Sequence, residues 1–428
     1  MIKRFAGKIV VRQLRRYVQR LLSVHDITVV MVTGTVGKTS TKMAIGRTLE
    51  AGGHKVCYSE DSYNTEFGVP LALFGLKAPD RISSPAAWRA VFKQMSDMID
   101  GYPYDLVVLE IAEDERAMMT PWVRLMQPKI GVLTSVSPAH MERFSSLEKL
   151  RDDAIALVGE SEQVFYNADF DDVREVMERR KGAVAYGVGR GVIRFENIMR
   201  GKNGRLAADL YLGKEHQVVR TQLIAQHGLS ALLGAACVAR DLGMSGEKIA
   251  TALAKIPSPV GRMRLLDGAN GATLIDDTYN SSPAAVKAGL DTLMEIPGRG
   301  HIAVLGSMNE LGVAAADLHR EVGEYAATKN LDMLVTVGKV AGQYIGPAAE
   351  DAGMERIRIK QFRTPYEAGH YLKKHVAKGD VVFIKGSQNG VFTEETSRIL
   401  LAPGLQPARE LVRQSKTWKR KKKKSFGL

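Results

Sequence analysis

The chain has 428 residues, 45% apolar and 25% charged, an ordinary balance for a folded protein long enough to form two or three cores. No apolar run approaches the ~20 residues that span a bilayer, and the basic N-terminus lacks the apolar stretch and small-residue cleavage site of a secretory signal. The formal charge is +13, but residues 1–25 carry seven Lys/Arg and residues 411–428 carry eight, with no Asp or Glu in either segment. Removing those fifteen from the 60 Lys/Arg leaves 45 basic against 47 acidic residues in between. A nearly neutral body with basic ends attracts any anionic surface and gives no reason to expect specific nucleic-acid binding. Cys57 and Cys237 lie in apolar segments and read as two buried thiols of a reducing cytoplasm.

In chain order, residues 2–22 place Ile2, Phe5, Ile9, Leu14, Tyr17, Val18 and Leu21 at helical spacing. Lys3, Lys8, Arg12, Arg15, Arg16 and Arg20 fill much of the rest, so residues 1–25 form a basic amphipathic helix. Such a helix either packs on the body of the protein or lies on an anionic membrane surface. Residues 27–33, 105–111 and 129–136 then read as strands buried on both faces, with amphipathic segments between them. That alternation predicts an α/β domain over 26–258 with a mostly parallel sheet. Residues 190–222, with turn signals such as Lys202-Asn203-Gly204, read as a small antiparallel excursion, and helices follow at about 228–242 and 246–255. Pro257-Ser258-Pro259 and Gly261 mark a boundary. Beyond it, strands at 273–277, 301–306, 332–338, 357–363 and 380–386 alternate with helices in a second α/β domain over 259–403. Residues 404–428 turn to Pro, Gly and Lys, and the run Lys419 to Lys424 is expected to be disordered.

Gly34-Thr35-Val36-Gly37-Lys38-Thr39-Ser40 follows a buried strand and opens a helix. Glycines there let the backbone curl so that successive N–H groups face inward, and the helix N-terminus adds positive potential. Lys38 can reach the β- and γ-phosphates of a nucleotide and the Thr39 hydroxyl can ligate Mg²⁺. The first glycine of the general Walker pattern would fall at Val32, so this is a shorter variant.

The phrase VTGTVGKTSTK resembles the ATP loop of the Mur ligases, in particular the MurF-like branch that adds D-alanyl-D-alanine to a muramoyl tripeptide. The similarity continues in order through SYNTEFGVPLALF (62–74), VLEI (108–111), SPAHMERFSSLE (137–148), GRM (261–263), DDTYNSSPAAVKAGLDTL (276–293), LGSMNELG (305–312) and FIKGSQNG (383–390). The resemblance implies a P-loop central domain followed by a C-terminal Rossmann-like α/β domain. It also implies an ATP- and Mg²⁺-dependent ligase that activates a muramoyl-peptide carboxylate as an acyl phosphate, which a small amine or dipeptide then attacks.

Residue by residue, the resemblance implies that Glu110, at a strand end, shares Mg²⁺ with Thr39. His140 would help hold a second metal or the activated carboxylate, and Arg262 would approach the polyphosphate. Asp277, Tyr279 and Asn280 would contact the nucleotide, His227 would precede the helix of the adenine pocket, Asn64 and Thr65 would touch the muramoyl peptide, and Lys385 and Ser387 would meet the amine. A capping aspartate and a helix-starting Ser-Pro pair are the structural alternative for the 276–283 segment. The chain departs from the family pattern at several positions. Ala112 replaces a glycine, Ser307 an aspartate and Ala231 an asparagine, and Ala154 stands where a carbamylated lysine usually ligates the second metal. Asp152 or Asp153 could supply an oxygen there instead. Only about 33 residues precede the loop, so the uridine site of the usual UDP-binding domain is expected to be absent or replaced, with the acceptor recognised through its sugar-peptide alone or anchored differently, for example as a lipid-linked muramoyl peptide. Competing readings are a polyglutamate-type ligase, a catalytically reduced ATP-binding scaffold and a nucleic-acid-binding ATPase.

Overall fold

A computed structural model of the chain describes residues 2–79, 81–113, 116–136 and 146–427. Two compact units divide it, one of Met1–Met199, Ala207–Thr221 and Gln226–Ile256, the other of Arg200–Leu206, Gln222–Ala225 and Pro257–Leu428. Among the described residues no helix is long and apolar enough to cross a membrane.

The first unit is built on nine strands: β1 (Thr28–Thr33), β2 (Val56–Tyr58), β3 (Leu106–Glu110), β4 (Ile130–Leu133), β5 (Gln163–Asn167), β6 (Ala183–Val188), β7 (Ile193–Arg200), β8 (Leu206–Leu212) and β9 (Glu215–Arg220). Their order across the sheet is β2-β3-β1-β4-β5-β6-β7-β8-β9. β1 pairs parallel with β3 on one side and β4 on the other, and β8 with β9 antiparallel. The chain thus reverses its direction of travel at β1, and loops leaving the carboxyl ends of β1, β3 and β4 converge there. The antiparallel excursion is the far edge of this same sheet.

The N-terminal helix α1 (Ile2–Val24) is part of this unit's core. Leu14, Val18 and Leu21 recur at i, i+4 and i+7 and are fully buried among Trp88, Val91 and Met95 of the helix Pro85–Ile99, while Tyr17 stacks on Phe92. Lys8, Arg12, Arg15, Arg16 and Arg20 remain exposed. From Leu14 to Leu21 the apolar stripe is covered by protein, whereas Ile9 is about half exposed at 51% and the basic side chains face solvent.

The second unit holds β10 (Arg264–Asp267), β11 (Thr273–Asp277), β12 (Gly300–Gly306), β13 (Met333–Val337), β14 (Ile359–Phe362) and β15 (Asp380–Lys385), in the order β10-β11-β15-β12-β13-β14. All neighbours are parallel except β10 and β11. The sequence marks its helix starts well. Ser282 and Thr364 cap helices that open on Pro283 and Pro365, and Thr364 with Glu367 completes a capping box.

The expectation of a disordered tail is wrong. Residues Lys416–Phe426 form a helix capped by Ser415, and Lys422 is buried, paired with Glu394 at 2.8 Å and Glu395 at 2.7 Å. A lysine run reads as unable to bury anything because each ammonium needs a counter-charge, and the two glutamates that supply it lie 27 and 28 positions earlier.

Removing the Leu14 side chain should cost about 2–5 kcal/mol of stability through the cavity it leaves, whereas Arg15→Ala beside it should stay within about 0.5 kcal/mol. Urea denaturation of Leu14→Ala, Arg15→Ala and wild type measures the difference.

Candidate functional site

The loop after β1 is shaped by its two glycines. Gly34 (φ +125°) and Gly37 (φ +89°) both sit in the left-handed region, and a Cβ on Gly34 would come within 2.4 Å of the Thr134 hydroxyl. Gly37 leads into α2 (Lys38–Ala51) without a side-chain cap, so the first-turn amides of Lys38, Thr39 and Ser40 keep their donor capacity for an anion. The end of β4 fixes the loop from below. Thr134 Oγ1 donates to Val36 O (2.7 Å), and Ser135 Oγ accepts from Val36 N (3.0 Å) while its backbone carbonyl accepts from Thr35 N (2.8 Å).

Glu110, 3% exposed at the end of β3, is the hub beside this loop. Register places it next to Val32, two residues before the loop. Its Oε2 accepts from Thr39 Oγ1 (3.0 Å) and from Lys42 Nζ (3.2 Å), and its Oε1 accepts from Ser62 Oγ (2.8 Å). Lys42, only 2% exposed, has its ammonium pushed below the ordinary value by burial, against the opposing pull of Glu110. Lys38 donates to Gly34 O (2.5 Å) and pairs with Glu113 at 2.8 Å. Glu113 is 1% exposed, and its second oxygen is buried with no hydrogen-bond partner among the described residues. Hard oxygens from Thr39 and Glu110 beside uncapped helix amides suit Mg²⁺, which takes one or two protein ligands and completes its shell with phosphate oxygens and water. Among the described residues no cluster of three or more His, Cys, Asp or Glu is arranged to hold a metal alone.

The remaining first-unit candidates stand on other segments. Asn64 is half-buried, and the Thr65 hydroxyl accepts from Gly68 N (3.2 Å), just upstream of the helix Gly68–Leu73 and downstream of Ser62. His227 is exposed in the short turn Gln226–Gly228 before the helix Leu229–Asp241. His140 lies outside the described residues. Ala154 is fully buried in an apolar cluster with Leu133, Leu150 and Val158. Burial alone would raise the Asp153 carboxyl, but Lys149 (2.6 Å) and Arg116 (2.7 Å), both paired with Oδ1, hold it below its usual range. Asp152 is exposed beside Arg151.

In the second unit the structure joins several candidates directly. Asp277 and Lys385 end the neighbouring strands β11 and β15 in register, and Lys385 Nζ donates to Asp277 Oδ2 (2.6 Å) and to Asn280 O (2.9 Å). Arg262 stacks over the Tyr279 ring at 4.2 Å. Ser387 is fully buried, accepting from Asn309 N (2.9 Å) and donating to Ser281 O (3.3 Å). The Ser-Pro pair does start a helix, since Ser282 caps Pro283–Glu295, so the capping alternative holds for Ser282. Asp277 instead accepts from Met263 N (3.2 Å) and Lys385. Asp276 beside it is fully buried, and burial pushes its carboxyl up to about 7, with Glu394 and Asp277 adding to the rise and hydrogen bonds from Ser397 and Thr278 opposing it.

Sequence reasoning missed Lys42, Ser62, Glu113, Thr134 and Ser135. Lys42 carried a signal, because it lies four residues after Lys38 on the helix and therefore on the same face. The others come together only when β3 and β4 flank β1.

Known proteins share both halves of this arrangement. Residues 32–239 match the Mur ligase middle domain, and residues 261–388 match the Mur ligase glutamate ligase domain. A UDP-N-acetylmuramoyl-tripeptide–D-alanyl-D-alanine ligase of Mycobacterium leprae is 28% identical over 413 residues, covering 88% of this chain and 74% of that enzyme. Its counterpart in Mycobacterium tuberculosis is 29% identical over 387 residues, covering 84% and 70%. Among solved structures, MurF of Acinetobacter baumannii aligns with a TM-score of 0.74 at 22% identity, over 92% of this chain and 79% of that one. MurF of Thermotoga maritima in complex with ADP aligns at 0.72 and 24%, over 91% and 83%. A P-loop unit followed by a second parallel α/β unit of this kind defines an ATP-dependent enzyme that forms amide bonds. The chain belongs to the Mur ligase family.

Glu113→Gln should free Lys38 and remove a negative charge from the phosphate site. ATP affinity should rise about tenfold, or ~1.4 kcal/mol, in a titration with a fluorescent ATP analogue; weaker binding would mean that Glu113 is needed to aim Lys38. For Asp276, the folded carboxyl keeps its proton to about 7 while the unfolded one loses it near 4, so the native state binds more protons between those values. Its contribution to stability therefore falls as pH rises from about 4 to 7, with a limiting slope on the order of 1.4 kcal/mol per pH unit. Asp276→Asn should gain stability relative to wild type between pH 5 and pH 8 in denaturant titrations.

Proposed function

We propose that this chain joins D-alanyl-D-alanine, or a closely similar small amine, to the carboxylate of a muramoyl peptide in peptidoglycan precursor synthesis, at the expense of ATP. The observation that carries the reading is the meeting of Thr39, Glu110 and Lys38 at the carboxyl ends of β1 and β3, beneath uncapped helix amides. The named relatives, which cover most of the chain, support the choice of amine and acceptor.

The reaction needs a carboxylate oxygen to attack the γ-phosphorus of ATP, giving ADP and an acyl phosphate. The amine nitrogen then attacks the acyl carbon, loses a proton and expels phosphate, leaving an amide. The chain's contribution is to hold the reactants and neutralise charge. The amides of residues 34–40 cradle the phosphates, and Lys38 turns from Glu113 toward the β- and γ-phosphates. Thr39 and Glu110 would hold Mg²⁺, which would offset the charge of the polyphosphate. Lys42 and Ser62 fix the Glu110 carboxylate so that it does not swing away. Asp277, Tyr279, Asn280 and Arg262 are assigned to the nucleotide, with Lys385 holding the Asp277 carboxylate in place. His227 is assigned to the adenine side, Asn64 and Thr65 to the muramoyl peptide, and the loop at Ser387 to the amine. His140 is kept by resemblance as a group near the activated carboxylate. With Ala154 in the core and Asp153 tied to two cations, the reading uses one Mg²⁺.

Phosphate release by the purified chain should require ATP, a muramoyl tripeptide and D-alanyl-D-alanine together, and Lys38→Ala should lower kcat/KM on the order of 10²–10³-fold. Phosphate release that ignores the amine, or that survives in Lys38→Ala, would overturn the proposal.

A further inference from the structure

The C-terminal stretch lies beyond the residues matched by either family domain, yet it reaches back to the loop assigned to the nucleotide. We infer that Arg413 is a positioning residue that sets the conformation of Thr278–Asn280 and through it the affinity for ATP. The inference rests on the nucleotide assignment of that loop.

The Arg413 side chain is 8% exposed, and all three of its nitrogens are engaged. Nε and Nη2 grip the two oxygens of Glu394 at 2.8 Å each. Nη1 donates to Tyr279 O (3.0 Å) and Nη2 also to Thr278 O (2.5 Å). Only a guanidinium spans a carboxylate and two successive carbonyls in this way; an ammonium is a point charge without the fork. The backbone of Arg413 has φ +55°, the left-handed region that a side-chain-bearing residue adopts at a cost, so local preference alone does not account for its aim. From the other side, Tyr279 N donates to Gly261 O (3.0 Å), and the Val412 side chain lies where a Cβ on Gly261 would meet it at 2.8 Å. The Tyr279 backbone is thus held at both its N–H and its carbonyl, while its ring carries Arg262.

The grip is itself braced. Glu394 is fully buried and also accepts from Lys422 of the last helix (2.8 Å). That helix is seated by Trp418 and Phe426 against Phe392, with ring centroids 6.2 and 6.1 Å away. The path from tail to loop therefore runs from Lys422 to Glu394, to Arg413, to the carbonyls of Thr278 and Tyr279. Each link is charge-assisted, fully buried between Lys422 and Glu394 and part-buried from Arg413 onward.

Arg413→Ala alone would strand Glu394 as a buried charge with one partner fewer, and could fail to fold for that reason. The test therefore uses the full chain with Arg413→Ala/Glu394→Gln, which removes both charges of the pair and leaves the new side-chain amide able to accept from Lys422. Hydrogen exchange of a peptide covering 276–286 should rise at least tenfold in the double variant, with an unfolding midpoint near wild type. The KM for ATP should rise on the order of tenfold while kcat changes less than threefold, methylguanidine should recover part of the loss, and Arg413→Lys should fall in between. Wild-type exchange in the loop of a folded double variant would overturn the brace, and increased exchange with an unchanged KM for ATP would overturn its link to the nucleotide. A wild-type chain that does not ligate would count against the ligase reading instead, and the exchange comparison would still decide the brace.

Discussion

A desolvated carboxylate at the end of β3 organises the first unit. Glu110 is almost without solvent, and donors from two separate segments converge on its carboxylate, Thr39 and Lys42 from α2 and Ser62 from the chain after β2. That convergence ties the helix behind the phosphate loop to the neighbouring strand. It also explains why Lys42 is buried in a helix that otherwise packs apolar and small residues inward.

The second unit repeats the device with other residues. Lys385 at the end of β15 meets Asp277 at the end of β11, and the same ammonium holds the carbonyl of Asn280. In both units a lysine–carboxylate pair stands at the end of parallel strands, placed where loops leave the carboxyl edge of the sheet. The pairs keep polar groups satisfied and fix loop backbones that have no ladder partners of their own. The Lys38–Glu113 pair differs, because one Glu113 oxygen has no partner among the described residues. Such a contact is poised to change when an anion arrives, whereas the Glu110 and Lys385 networks are built to stay.

The departures from the family pattern gain physical content in the fold. Ala154 packs in the apolar cluster on its helix, and the adjacent Asp153 is drawn to Arg116 and Lys149.

Much was legible in the sequence because it depends on neighbours in the chain. The eight strands read from apolar runs all form, the glycines of the phosphate loop adopt the left-handed geometry their motif requires, and the Ser-Pro and Thr-Pro pairs start helices. Periodicity, turns and caps are local properties, so a reading of successive residues finds them. What tertiary structure alone decided is which distant groups neutralise one another. Thr134 and Ser135 stand about 100 positions from the loop they hold, Lys385 stands 108 from Asp277, and Lys422 of an apparently unburiable tail finds its counter-charges 27 and 28 positions away. The physical reason is that a buried charge is tolerated only where a partner is brought to it, and the strand order of the sheet, which no local pattern encodes, does the bringing.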